Sequence, residues 1–122
     1  MCGIAGFCNV RINYEKNEGE WRTVLNRMKT VQKHRGPDEK GIFLGKHCGL
    51  AHVRLSIIDL ASGRQPMVKR EGGAEFAICY NGELYNMPEL KKELLASGES
   101  FQTNSDTEVI PVSYTHLTLP TN

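Results

Sequence analysis

Apolar positions along the chain fall into short runs, and the period of each run predicts its conformation. Residues 3–10 are mostly apolar and read as a buried strand. Gly3 and Gly6 within it mark places where another backbone or a ligand comes close. Residues 11–19 are polar and read as a loop. Trp21, Leu25, Met28 and Val31 then recur at helical spacing, with Val24 and Gln32 on neighbouring stripes. They predict the clearest amphipathic helix of the chain. It stops near His34-Arg35-Gly36-Pro37, a Gly-Pro breaker. Residues 41–44, 50–53, 56–60 and 74–80 look like short strands. Asn86, Pro88 and Glu89 open a second helix, which runs through Ala96 and closes at Gly98. Leu90, Leu94 and Leu95 supply its buried face.

The end of the chain conflicts with what precedes it. Ser105-Asp106-Thr107-Glu108 is a capping box, followed by Val109 and Ile110. It announces a helix. Pro111 follows within the first turns, where its ring clashes and a hydrogen bond is lost, at a cost of ~3 kcal/mol or more. Residues 112–122 are rich in Thr, poor in charge and without helical period. The expectation is that native sequence ends at about Ile110. Residues 111–122 then form a foreign-looking tail, detached from the core.

Composition narrows the class. The chain has 122 residues, 39% of them hydrophobic and 24% charged, and so amounts to one small domain or part of a larger one. A net charge of +1 argues against a nucleic-acid partner held by bulk electrostatics. No apolar run approaches the ~18 residues of a membrane helix, and no signal peptide is visible. These features read as a cytoplasmic chain without a membrane partner. The four cysteines, Cys2, Cys8, Cys48 and Cys79, are expected as reduced thiols. His47, Cys48 and His52 lack a fourth ligand at a zinc-like interval, so no metal is assigned.

Cys2 carries the sharpest chemical signal. Removal of Met1 would place a thiol and a free α-amine on one residue, an N-terminal nucleophile with its own general base. The unperturbed amine pKa of about 7.7–8.0 suits that task near neutral pH. Asn81-Gly82 has two readings, a type I′ hairpin turn and an oxyanion hole built from a side-chain amide and a bare N–H. Arg54 reads either as a surface arginine beside a strand or as a guanidinium fork for a carboxylate.

Four segments sharpen these readings: Met1-Cys2-Gly3-Ile4, His34-Arg35-Gly36-Pro37-Asp38, Arg54-Leu55-Ser56-Ile57-Ile58-Asp59 and Asn81-Gly82-Glu83-Leu84-Tyr85-Asn86. Gln65-Pro66-Met67 and Ser105-Asp106-Thr107-Glu108-Val109-Ile110 add support. Together they resemble the class II glutamine amidotransferases, which are N-terminal nucleophile hydrolases. Within that class they are most similar to the glutamine-hydrolysing asparagine synthetases. The resemblance runs from Met1 to about Ile110 and covers about the first half of the family's glutaminase domain.

The resemblance implies an α+β fold, part of a four-layer αββα sandwich. It implies L-glutamine as substrate, with Cys2 as nucleophile and Asn81 and Gly82 as oxyanion hole. Arg54 would pair with the substrate α-carboxylate, and Asp106 with Glu83 would take the α-ammonium. Leu55, Ser56, Ile57 and Ile58 would wall the pocket. No cofactor is implied for this segment. ATP and Mg²⁺ belong to a C-terminal synthetase domain absent here, which in the full-length enzyme converts aspartate to asparagine; a homodimer is left open for that enzyme. Two other readings stand beside this one: a related amidotransferase of another pathway, and a non-catalytic truncated remnant.

Overall fold

The computed structural model describes residues 2–36, 39–55 and 63–118. The amino-terminal half consists of β1 (Gly3–Cys8), α1 (Glu18–Val31), β2 (Glu39–Leu44) and β3 (Cys48–Arg54). The three strands form an antiparallel sheet in the order β1-β3-β2. Gly3 lies opposite Val53, and Glu39 opposite Arg54. The helix α1 packs on all three strands. Leu25 and Val53 are fully buried in that contact layer, with Ala51 beside them. Val31 departs from the expected stripe and is 75% exposed. At 3.6 residues per turn it lies about 120° around the helix from Leu25. Gln32, whose amide donates to the Ile4 carbonyl at 3.3 Å, occupies the inward position instead. Gly3 and Gly6 meet the expectation of close approach. A Cβ on Gly3 would strike Gln32 and Val53, and one on Gly6 would lie 2.6 Å from the Gly49 carbonyl oxygen.

The polar stretch before α1 is not a plain loop. Residues Tyr14–Asn17 form a 3₁₀ turn, capped by the Asn13 side chain on the Glu15 N–H. Tyr14 is buried and completes an aromatic cluster, 4.7 Å from both Phe7 and Trp21 between ring centroids. One aromatic anchor in a polar segment carries no periodic signal, so composition concealed it.

The carboxy-terminal half consists of β4 (Met67–Glu71), β5 (Ala74–Ile78), α2 (Met87–Ala96) and α3 (Asp106–Thr118). The hairpin β4–β5 turns through Gly72 and Gly73, both at positive φ (+61° and +77°), as a two-residue hairpin of the primed type requires. The strand β4 escaped the sequence pattern because its second half is charged. One of those charges is matched across the ladder, where Arg70 faces Glu75 and bonds to it at 2.6 Å, and the other two pair along the strand, Lys69 with Glu71 at 3.3 Å. The expected strand at 56–60 lies outside the described residues.

In the second core Leu94, Val109 and Val112 pack together, flanked by Leu84, Met87, Leu90 and Phe101. Leu95, expected on the buried face of α2, is half-exposed because it points about 100° away from Leu94. The helix α3 packs on α2 and on both strands of the hairpin.

The capping box starts a helix as expected, but Pro111 does not end it. The helix continues to Thr118 with Pro111 inside. Val112 falls one turn after Val109, so burial against Leu94 holds the second turn on the core. The expectation of a detached segment from residue 111 onward is therefore corrected over residues 111–118. The box itself is also modified. Ser105 Oγ accepts from the Thr107 N–H at 3.2 Å. The Glu108 carboxylate reaches past Ser105 to the N–H groups of Gln102 and Thr103, each at 2.7 Å. Among the described residues the architecture is mixed α/β, with two small sheets and three α-helices.

Candidate active site

Cys2 immediately precedes β1, and its position is set by the first rungs of the β1–β3 ladder. The thiol is free and half-buried. The Asn81 side-chain amide donates to the Cys2 carbonyl oxygen at 3.4 Å, across 79 positions of sequence. A shallow cavity of about 360 Å³ opens beside this pair, lined also by Gln32, His34 and Arg35. Met1, whose removal would free the Cys2 amine, lies outside the described residues.

Arg54 closes β3, on the rung opposite Glu39 of β2. Its guanidinium donates to Glu39 Oε2 at 3.2 Å and to the Gly63 carbonyl at 3.3 Å. Both partners of the ion pair are mostly shielded from solvent, 19% and 14% exposed at their side chains. A second cation, Arg64, reaches the other Glu39 oxygen at 3.4 Å. Glu39 therefore steers two arginines to one corner. These bonds orient the Arg54 guanidinium at the end of β3. Behind it sits Gly36, where a Cβ would overlap the Arg54 backbone nitrogen and carbonyl carbon. Leu55 follows, 42% exposed. Ser56, Ile57 and Ile58 lie outside the described residues, as do Pro37 and Asp38.

Asn81, Gly82 and Glu83 are exposed and follow the end of β5. They do not form the two-residue hairpin turn that Asn-Gly signals. The hairpin is made at Gly72-Gly73, and Gly82 is not at positive φ. Asp106, at the start of α3, fixes this stretch: its Oδ2 accepts from the Leu84 N–H at 3.0 Å. The side chain of Gln65, buried, adds a second tie. Its oxygen accepts from the Tyr80 N–H at 2.6 Å, and its amide donates to Thr107 Oγ1 at 3.3 Å. Gln65 thus pins the approach to Asn81 onto the first turn of α3.

Burial tunes two thiols and one imidazole near these elements. It pushes the Cys79 thiol up to about 12, leaving it protonated at neutral pH. The Cys48 thiol is also raised, first by burial, then by the negative charges of Cys8 and Glu75. His52, in the centre of β3, is lowered by burial; the Glu39 carboxylate opposes that shift and Arg54 adds to it. Neither ring nitrogen of His52 has a hydrogen-bond partner. His47 is engaged elsewhere, with Nδ1 2.8 Å from the Ile12 carbonyl.

The structure brings Cys2 to Asn81, and the 81–84 stretch to Asp106. Arg54 is linked to the same region through Gly63, whose added Cβ would sit 2.7 Å from Ser105 Oγ. Sequence reasoning missed Glu39, which orients Arg54, and treated Gln65 only as part of a supporting motif. A glutamate at the start of a strand has no distinctive spacing. Register alone reveals its role.

Comparison with known proteins places these features in a family. A family model for the glutamine amidotransferase domain matches residues 1–118. An asparagine synthetase [glutamine-hydrolyzing] 3 of Bacillus subtilis is 40% identical over 93% of this chain and 18% of its own length. A putative asparagine synthetase [glutamine-hydrolyzing] 2 of Methanocaldococcus jannaschii is 40% identical over 96% of this chain and 24% of its own. Amidase chry2 of Gibberella zeae is 38% identical over 98% of this chain and again 18% of its own length. The chain thus spans about a fifth of the curated relatives it matches.

Proposed function

The chain belongs to the glutamine amidotransferase domain family, and we propose that it is the amino-terminal part of a glutaminase that releases ammonia for a longer synthetase. The observation that carries this reading is the bond between the Asn81 amide and the Cys2 carbonyl. It sets a hydrogen-bond donor beside a thiol on the residue next to the amino terminus.

The chemistry follows from these groups. With Met1 removed, the Cys2 sulfur attacks the side-chain carbonyl of glutamine and its α-amine takes the thiol proton. Negative charge gathers on the former carbonyl oxygen. The Asn81 amide and the Gly82 N–H stabilise it, a contribution of ~10²–10³ in rate per donor. The amine returns its proton to the departing ammonia, leaving a glutamyl thioester that water hydrolyses. Arg54 holds the substrate α-carboxylate, and Asp106 with Glu83 holds the α-ammonium. Leu55 to Ile58 wall the pocket. Such groups bind parts of the substrate that do not react, so they set affinity and orientation.

In the same reading α1, the three-stranded sheet, the hairpin and the α2–α3 pair begin a four-layer αββα sandwich. Ammonia then passes to a carboxy-terminal domain that uses ATP and Mg²⁺ to make asparagine from aspartate. The names of the relatives favour asparagine as product; amidase chry2 keeps a different acceptor in view. We further propose that the native segment ends near Ile110. Beyond Val112 the helix turns Thr115 inward, at 3% exposed, and leaves Leu117 outward at 75%, an inverted polarity for a surface helix. Genomic sequence across codon 110 tests that boundary.

The decisive experiment uses a chain carrying the complete domain and its synthetase. Cys2→Ala is expected to abolish glutamine-dependent product formation and leave ammonia-dependent formation intact. Glutamate release from glutamine at the wild-type rate in this variant would remove Cys2 from the mechanism, and a wild-type protein that releases none would leave the non-catalytic reading.

A further inference from the structure

Cys8 and Cys48 face each other directly across the β1–β3 ladder. The hydrogen bonds fix which kind of rung this is. The Asn9 N–H donates to the His47 carbonyl at 2.9 Å, so the neighbouring pair Asn9–His47 is hydrogen-bonded. Cys48 turns its own backbone the other way, accepting from the Gly45 N–H at 2.8 Å. Bonded and non-bonded rungs alternate in an antiparallel pair, so Cys8–Cys48 is a non-bonded rung. Such rungs bring Cα atoms to about 4.5 Å and their side chains to the same face. That separation falls inside the range of about 4.4–6.8 Å that a disulfide spans.

We propose that Cys8 and Cys48 form a site of reversible oxidation, a cross-strand dithiol that closes to a disulfide on meeting a small disulfide oxidant such as oxidised glutathione. Both thiols are free, Cys8 exposed and Cys48 half-buried, so the first attack falls to Cys8. Its thiolate attacks one sulfur of the oxidant, the oxidant's S–S bond breaks, and one glutathione leaves as thiolate. The Cys48 thiolate then attacks Cys8 Sγ in the mixed disulfide and expels the second glutathione. The two protons of the protein thiols end on the two glutathiones, so the protein is oxidised by two electrons and the oxidant reduced by two. The negative charge of Cys8 is among the causes that raise the Cys48 pKa, as their closeness requires.

The other two cysteines stand apart from this chemistry. Cys79 is held protonated by burial. Cys2 lies six positions back along β1, about 20 Å away at 3.3 Å per residue. The bond would therefore lock the far end of the strand that begins next to Cys2, without consuming that thiol. It holds whether or not Cys2 is a nucleophile.

The test treats a chain carrying the complete domain with oxidised glutathione and maps its peptides without reduction. The expected product joins the peptides of Cys8 and Cys48, two hydrogens lighter than the reduced pair, and reverts with dithiothreitol. Cys48→Ser is expected to stop at a glutathione adduct on Cys8, and Cys2→Ala to form the cross-link at the wild-type rate. The apparent melting temperature rises on oxidation of the wild type and does not rise in Cys8→Ser. A wild-type protein that stops at the Cys8 adduct, resists oxidation at both residues, or joins either to Cys2 or Cys79 overturns the proposal.

Discussion

Gly36 lies against the backbone of Arg54, so close that a single added carbon would overlap the Arg54 nitrogen and carbonyl carbon. The backbone at Gly36 is extended, with φ of −167°, which any residue can adopt. Space, not conformation, therefore excludes a side chain there. Gly36→Ala is expected to push β3 outward, at the 1–3 kcal/mol typical of overpacking. Urea unfolding of the complete domain measures the loss. Because Arg54 moves with β3, KM for glutamine should rise in the same variant. An unchanged midpoint and KM would show that the strand yields freely.

Arg54 and Glu39 invite a paired test. In the proposed mechanism Arg54 grips a group that does not react, so Arg54→Ala should raise KM and largely spare kcat. Loss of a charge-assisted bond of about 1.5–3 kcal/mol corresponds to about a tenfold to hundredfold rise. Glu39→Gln keeps an acceptor but removes the charge that orients the guanidinium, and a smaller rise is expected. Steady-state glutamate release gives both constants. A fall in kcat at constant KM would reassign Arg54 to the reacting centre.

Asn81 predicts the opposite split. The oxyanion exists only along the reaction path, so Asn81→Ala should lower kcat by ~10²–10³ with little change in KM. The substitution also frees the Cys2 carbonyl, which Asn81 holds in the resting site. Single-turnover measurements separate the chemical step from substrate binding. Full activity in this variant would assign the oxyanion to backbone donors alone.

His52 makes the fold sensitive to acid. Burial lowers its pKa in the folded state, Glu39 opposes the shift, and Arg54 adds to it. The unfolded ring titrates near its ordinary value of about 6.5. Below that pH the unfolded chain binds a proton that the folded chain resists, so this contribution to stability is complete above about 6.5 and declines as pH falls. Denaturant midpoints of the complete domain between pH 7.5 and 5 should therefore drop. His52→Leu, which also removes two unpartnered nitrogens, should flatten the drop. Equal slopes in both proteins would place the acid response elsewhere.

Much of this was legible in the residues. The stripe around Leu25 and the short runs of β1 and β3 announced their elements, and the capping box at Ser105 announced the start of α3. The same reading stopped α3 at Pro111, because local propensity has no knowledge of Leu94, against which Val109 and Val112 are buried. Cys2, Asn81 and Asp106 were visible as chemistry-bearing residues in distinctive company. The groups that orient them were not. Glu39 meets Arg54 through strand register, and Gln65 joins Tyr80 to Thr107 through a buried side chain. Such relations arise between distant segments and leave no local pattern.

The aromatic cluster at the base of β1 has a practical consequence. Trp21 is the single tryptophan of the chain, and its ring centroid lies 5.2 Å from that of Phe7. Phe7 shares a strand with the residues that follow Cys2. The indole is therefore a built-in optical gauge of that strand. Its emission reads the seating of β1 on α1 without any label, and any event that loosens the amino-terminal strand should register there as a change in colour or intensity.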